Sequence, residues 1–233
     1  MNLEGRRIAV TGAFGSLGAA VVEAALAAGA QVAAIDRAPG PHPSDAAAFA
    51  RAQLFGDVDL GADGDADRTL AAVAQRLGGL DALVNIAGTF RWETVEKGSL
   101  ATWDLLFNVN LRTAVAASKA ALPFLAQSQS ASIVNIGAMG AVKAGIGMGA
   151  YAASKAGVAK LTEALAEELK DKGITVNALL PSIIDTAPNR ADMPKADFDR
   201  WVKPSQLADV IVFLLSEHAR SITGALIPVV GRV

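Results

Sequence analysis

At 233 residues, with 52% hydrophobic and 19% charged side chains, the chain can bury one large core and has no compositional reason to be disordered. A net charge of −2 leaves no basic face for a nucleic-acid backbone and no polybasic segment for an anionic membrane, so a small-molecule partner is expected. The absence of cysteine excludes disulfides, thiolate metal sites and cysteine nucleophiles.

The N-terminal MNLEGRRIAVTG passes into a strand over Arg7–Val10 with no apolar leader before it. No later apolar run reaches the ~20 residues of a membrane helix, so a cytoplasmic protein is expected. After this strand comes TGAFGSLG, with Gly12, Gly15 and Gly18 opening a helix over Ser16–Ala28. Glycines there let the backbone, including Phe14, Ser16 and Leu17, approach a pyrophosphate that meets the positive end of the helix. A second strand, Gln31–Ile35, ends on Asp36, 18 residues beyond Gly18. That carboxylate suits the adenosine ribose hydroxyls and repels a 2′-phosphate, so NAD(H) is favoured, while Arg37, able to stack on adenine or reach a 2′-phosphate, keeps NADP(H) open.

The proline-rich stretch from Ala38 to Ser44 reads as a surface loop, and a weaker strand follows over Gln53–Phe55. Asp57 and Val58 stand where a carboxylate can accept from the adenine amino group and an apolar side chain can cover the ring; a solvated loop aspartate is the alternative. The carboxylates from Asp59 to Asp67 lack calcium-loop spacing, and neither His42 nor His218 has a partner at ligand spacing, so no metal is expected. A helix over Asp65–Leu77 leads to a strand over Ala82–Asn85. Beyond its carboxyl end Ala87 and Gly88 leave room for a ligand, and Asn85 closes the strand.

A long helix is expected over Leu100–Ala126, a strand over Ser132–Ile136, and a helix over Ala150–Lys172 that carries Tyr151 and Lys155 four residues apart on one face. An ammonium beside a phenol favours the phenolate and lowers a pKa normally near 10, which would suit Tyr151 to proton transfer. A strand over Thr175–Leu180, an irregular segment at about 182–204 with the character of a lid, a helix over Ser205–Ser216 and a strand over Ala225–Val229 complete the chain. Short β-branched runs alternating with Ala-rich helical stretches mark repeated βαβ units. The expectation is a single α/β domain over residues 1–233: a Rossmann-type, doubly wound, mostly parallel seven-stranded sheet with helices on both faces.

The ordered set of Gly12, Gly15 and Gly18, then NIAG at 85–88, Asn110, the Tyr151-Ala-Ala-Ser-Lys155 run and PSIIDT at 181–186 resembles the short-chain dehydrogenase/reductase family across the chain. The resemblance implies an NAD(P)-dependent oxidoreductase with Tyr151 as proton donor and Lys155 also on the nicotinamide ribose. It further implies that Asn110 holds a relay water, and that Pro181, the backbone of Ile184 and the Thr186 hydroxyl flank the nicotinamide carboxamide. A homodimer or homotetramer built through the two long helices is implied as well. Two departures stand out: Ala138 occupies the usual place of a catalytic serine, and Ser16 stands where most members have glycine. The alanine, the glycine rhythm and the segment IIDTAPNRADMPKADFDRW resemble the dihydropteridine reductase branch, which implies a planar, quinonoid acceptor. A carbonyl or alcohol substrate is the alternative, and a catalytically weak NAD(H)-binding sensor is the alternative of another class. Trp92, Met148, Phe198 and Trp201 are candidates for the substrate side.

Overall fold

The short apolar runs form β1 (Arg7–Thr11), β2 (Gln31–Ile35), β3 (Gln53–Phe55), β4 (Ala82–Asn85), β5 (Ser132–Ile136), β6 (Thr175–Pro181) and β7 (Leu226–Val229) in a computed structural model that describes residues 1–233. All pair in parallel in the order β3-β2-β1-β4-β5-β6-β7. A parallel sheet is covered on both faces, and β5 and β6 are accordingly buried at every position. Pro228 sits in β7, at the sheet edge, where its missing N–H leaves no ladder bond unmade.

Helix α1 (Ser16–Ala27) covers one face of the sheet, and α2 (Asp65–Leu77) covers the other. A short α3 (Leu100–Leu106) leads through a π-helical segment, Phe107–Arg112, into α4 (Thr113–Leu125), which joins α2. Helix α5 (Gly149–Leu169) lies on the α2 and α4 side, α6 (Ala187–Asp192) falls between β6 and β7, and α7 (Pro204–Leu214) packs beside α1. No helix is long and apolar enough to cross a membrane.

Three expectations change in detail. The helix over Leu100–Ala126 is interrupted, because the wide turn at Phe107–Arg112 swings Asn110 into the interior. The proline-rich loop continues into a 3₁₀ turn, Pro43–Phe49, that returns the buried Phe49 to the core, edge-on to Phe14 at 5.5 Å. The segment 182–204 is partly regular: it holds α6 and a 3₁₀ turn at Phe198–Arg200, and the C-terminal tail fastens it. Arg232 N donates to Arg200 O at 3.0 Å, Arg200 Nε donates to Arg232 O at 2.8 Å, and Ser182 Oγ donates to Val230 O at 2.7 Å.

At the amino ends of the strands, opposite the glycine turn, Arg7 grips Asp81 through Nε and Nη2, both at 2.8 Å, while Ser128 Oγ donates to the same carboxylate. Burial alone would raise the Asp81 pKa, but these donors and the Arg7 backbone N–H hold it near 2, below the usual 3.8. The stabilisation is complete above pH 4 or so and is lost as pH falls toward 2. Asp81→Asn should therefore cost about 2 kcal/mol at neutral pH and almost nothing near pH 2, as read by denaturant unfolding at the two pH values.

Candidate active site

Strand order reverses between β1 and β4, and ligands of open α/β sheets bind beyond the carboxyl ends at such a point. A cleft of about 820 Å³ opens there, running from the glycine turn to Tyr151. Gly12 has φ +63°, and a Cβ on it would stand 2.7 Å from Ala87 N, so only glycine lets the turn close onto the end of β4. A Cβ on Gly18 would run into the Gly12 carbonyl and the Ala13 backbone. Gly15 is different: its Cβ would meet nothing closer than 3.6 Å, so the space beside it belongs to the cleft. No side chain caps α1, whose first amides face the opening. Thr11, absent from the expected site, locks this arrangement by accepting at Oγ1 from Ile86 N at 3.1 Å and Ala87 N at 3.3 Å.

Phe14, Ser16, Leu17, Asp36, Arg37, Val58, Ala87 and Gly88 line the cleft. The Asp36 carboxylate accepts from Phe14 N at 2.9 Å and from Ala38 N at 3.0 Å, so it also braces the turn. Asp57 lies outside the cleft. It forms a left-handed corner at φ 57° with its side chain exposed, and Val58, Asp59 and His42 reach the lining in its place. Asn85 is a second correction: its side chain turns under the sheet, where Nδ2 donates to Asn135 Oδ1 at 2.9 Å and Ser118 Oγ at 3.0 Å. Position 85 shares a face with Leu83, which packs toward α4, so strand alternation aims it away from the ligand.

Asn110 is 1% exposed and lies behind the cleft wall. It accepts from Thr89 N at 2.7 Å and donates to Ser154 Oγ at 2.9 Å. Gly88 passes beside it, where a Cβ would crowd Asn110 Oδ1 at 3.0 Å and Lys155 Nζ at 3.3 Å.

Tyr151 and Lys155 both face the cleft, but Lys155 Nζ donates to Ile136 O at 2.7 Å, at the end of β5. Burial pushes the phenol up to about 12 and the ammonium down to about 8. The expected lowering of the tyrosine by its neighbour is thus absent, and burial alone sets the direction for both groups. Phe90, also missing from the expected set, meets the Tyr151 ring edge-on at 4.9 Å. Ala138 follows β5 and presents its methyl group to the same wall.

Pro181, Ser182, Ile184 and Thr186 close the far side. Thr186 Oγ1 caps α6 by accepting from Asn189 N at 3.3 Å, and Ile184 O accepts from Asn189 Nδ2 at 2.8 Å. Trp201 is buried against Phe198, whose ring carries the Arg190 guanidinium at 4.7 Å; these side chains anchor the segment rather than cover a substrate. Trp92 lies over Gly147, and Met148 approaches Gly140 beside Tyr151. The residues present fit a dinucleotide. The amides of Ser16, Leu17 and Gly18, at the start of α1, have no acceptor, and the buried Lys155 ammonium has one acceptor, Ile136 O, for its three donors.

A family model described as short chain dehydrogenase matches residues 6–197. The 2-(S)-hydroxypropyl-CoM dehydrogenase 3 of Xanthobacter autotrophicus is 32% identical over 248 residues, covering 99% of this chain and 97% of that one. The 3-oxoacyl-[acyl-carrier-protein] reductase FabG of Thermotoga maritima is 32% identical over 244 residues, covering 99% and 98%. Among solved structures, a short chain dehydrogenase from Burkholderia cenocepacia in complex with NADP aligns with a TM-score of 0.86 and 31% identity, covering 99% and 98%.

The depressed Lys155 pKa has a measurable consequence in the ligand-free protein. Burying the ammonium opposes folding below pH 8 or so, and this penalty disappears as pH rises to the unfolded value near 10.5. Lys155→Met removes that dependence. Relative to the variant, the wild type should gain about 3 kcal/mol of stability between pH 7 and pH 10.5, measured by paired denaturant titrations.

Proposed function

The chain belongs to the short-chain dehydrogenase/reductase family and is an NAD(P)-dependent oxidoreductase, and from that premise we propose that it reduces a small carbonyl compound with Tyr151 as proton donor. The observation that carries this is the phenol's state and place: Tyr151 lines the cleft with its pKa held at about 12, so it meets a substrate protonated. A bound nicotinamide supplies the hydride. The turn from Gly12 to Gly18 binds the pyrophosphate, and Asp36 takes the adenosine ribose hydroxyls, favouring NAD(H), with Arg37 and Val58 against the adenine end. Lys155 directs its free donors to the nicotinamide ribose, and Pro181, Ile184 and Thr186 border the carboxamide.

In the reaction, the Tyr151 hydroxyl donates its proton to the oxygen on which negative charge develops, and Asn110, behind the wall, keeps a relay water in place for reprotonation. Segment 182–204 shields the site as a lid, its own side chains serving as its anchor. Two copies of the chain pair through α4 and α5, a surface on which Val115 is exposed. A second reading, reduction of a quinonoid dihydropterin, is favoured by Ala138. In a conjugated ring the charge develops on nitrogen, and one proton donor suffices where a ketone gains from two.

The test is a panel of acetoacetyl-CoA, 9,10-phenanthrenequinone and quinonoid dihydrobiopterin with NADH and NADPH. Tyr151→Phe should lower kcat/KM at least a hundredfold on the preferred acceptor, in line with the usual worth of a general acid. Undiminished turnover would remove the proton-donor role. Ala138→Ser distinguishes the substrates. A new donor at that wall should raise carbonyl turnover about tenfold or more and leave pterin turnover unchanged. Tight dinucleotide binding with no turnover of any acceptor would leave a nucleotide sensor.

A further inference from the structure

Two buried side chains outside the cleft lining join Tyr151 to the loop that packs against its ring. Asn110 Oδ1 accepts from Thr89 N at 2.7 Å, and the next residue, Phe90, sets its edge on the Tyr151 ring with centroids 4.9 Å apart. On the other side, Asn110 Nδ2 donates to Ser154 Oγ at 2.9 Å, and that hydroxyl donates to the Tyr151 carbonyl at 2.7 Å. One carboxamide thereby ties together the main chain that carries the phenol and the aromatic edge that packs against it. Ser154 is fully buried and has no route to substrate or cofactor.

We propose that Ser154 is a positioning residue for the reaction, its hydroxyl coupling the first turn of α5 to Asn110 so that the Tyr151 phenol is held at one place against Phe90. A serine bonding back to a carbonyl three residues earlier is common in helices and by itself fixes nothing outside the helix. Here the same oxygen also accepts from another element, the π-helical segment whose wide turn brings Asn110 inward. Both lone pairs and the proton of a hydroxyl are available, so Ser154 can serve both partners at once. With the serine replaced by alanine, Asn110 keeps Thr89 but loses α5. A buried donor is then left without its partner, and the local answer is for the first turn of α5 to shift and admit water. Ala138 sharpens the requirement, because no hydroxyl at that wall is present to hold the substrate oxygen and the phenol alone must be in register.

The chain contains a single tyrosine, so phenol ionisation reports on Tyr151 alone. The proposal rests on the reading of Tyr151 as proton donor, and Tyr151→Phe, assayed in parallel, tests that reading separately. Wild type, Ser154→Cys and Ser154→Ala are titrated by absorbance near 295 nm, with circular dichroism at each pH to confirm folding. Kinetics follow on an acceptor whose turnover Tyr151→Phe abolishes. In wild type the phenol stays protonated at about pH 10.5; in Ser154→Ala it should be at least half ionised there, because water now reaches it, with the weakly bonding thiol intermediate. On the acceptor, kcat should fall at least tenfold in Ser154→Ala while KM and dinucleotide affinity stay within about twofold. If the alanine variant does not fold, the cysteine variant carries the same comparison. An unmoved phenol titration, or an unmoved kcat, overturns the positioning role while leaving the proton-donor reading intact; turnover that survives Tyr151→Phe overturns that reading instead.

Discussion

The cleft exists because the first turn of the chain comes to rest on the end of β4, a strand more than seventy residues later. Thr11 Oγ1 accepts the amides of Ile86 and Ala87, and Gly12, with no Cβ and a positive φ, fits within van der Waals reach of Ala87. Any side chain at position 12 would drive these backbones apart, and the opening between β1 and β4 would lose its floor. From that contact the rest follows in order. The amides of α1 are aimed across the opening, Asp36 is drawn to Phe14 N from the next strand, and Gly88 leaves β4 in position to slip past Asn110 and Lys155.

The fold was legible in the residues because both of its periodicities are strong. All seven strands lie where the short apolar runs place them, and, the break inside Leu100–Ala126 apart, the helix ends differ by a few residues at most. The placement of the glycine turn, Asp36, Tyr151 and Lys155 along one cleft was legible for a related reason, since it depends on local spacing that survives folding. What could not be read was the direction of a polar side chain at a strand end or inside a long helix. Asn85 and Asn110 are the same residue type near the same cleft. One points under the sheet because strand alternation puts it beside Leu83, and the other points inward because a π-turn, with no sequence signature of its own, adds a residue to the helix. Phe90 and Ser154 were missed because their roles consist of contacts with elements distant in sequence.

Beneath the sheet a second polar chain mirrors the one in the site. Asn85 and Asn135 are bonded side chain to side chain, Ser118 extends the chain to α4, and Asn135 Nδ2 continues it to Thr162 Oγ1 on α5. Such groups are costly to bury unless nearly all are paired, and within this network only Asn85 Oδ1 lacks a partner. An apolar core of alanine and leucine permits helices to slide by a fraction of an ångström, whereas hydrogen bonds of fixed length do not. The network registers α5 against β5 about two turns beyond Lys155, while the Asn110–Ser154 bond registers the same helix at Tyr151. The helix that carries Tyr151 and Lys155 is therefore fixed at two points along its length.

That rigidity bears on the proposed role of Tyr151, acting alone where the family usually supplies a tyrosine and a serine. Burial keeps the phenol protonated and makes it a poor acid in the ligand-free protein, while the same burial leaves the Lys155 ammonium short of acceptors. Both costs point to the same remedy, a polar, hydroxyl-rich ligand beside the lysine and a substrate oxygen or nitrogen beside the phenol. Each would be solvated by the other's arrival rather than by water. Ala138 removes the second donor from that wall and with it any tolerance in where the developing charge may sit. An acceptor whose charge is spread over a ring makes little demand on the missing hydroxyl. A ketone makes more, and must find its second donor in backbone or solvent. If Tyr151 is the proton donor proposed above, the substrate is decided less by the shape of the cleft than by how much charge a single, firmly held phenol has to meet.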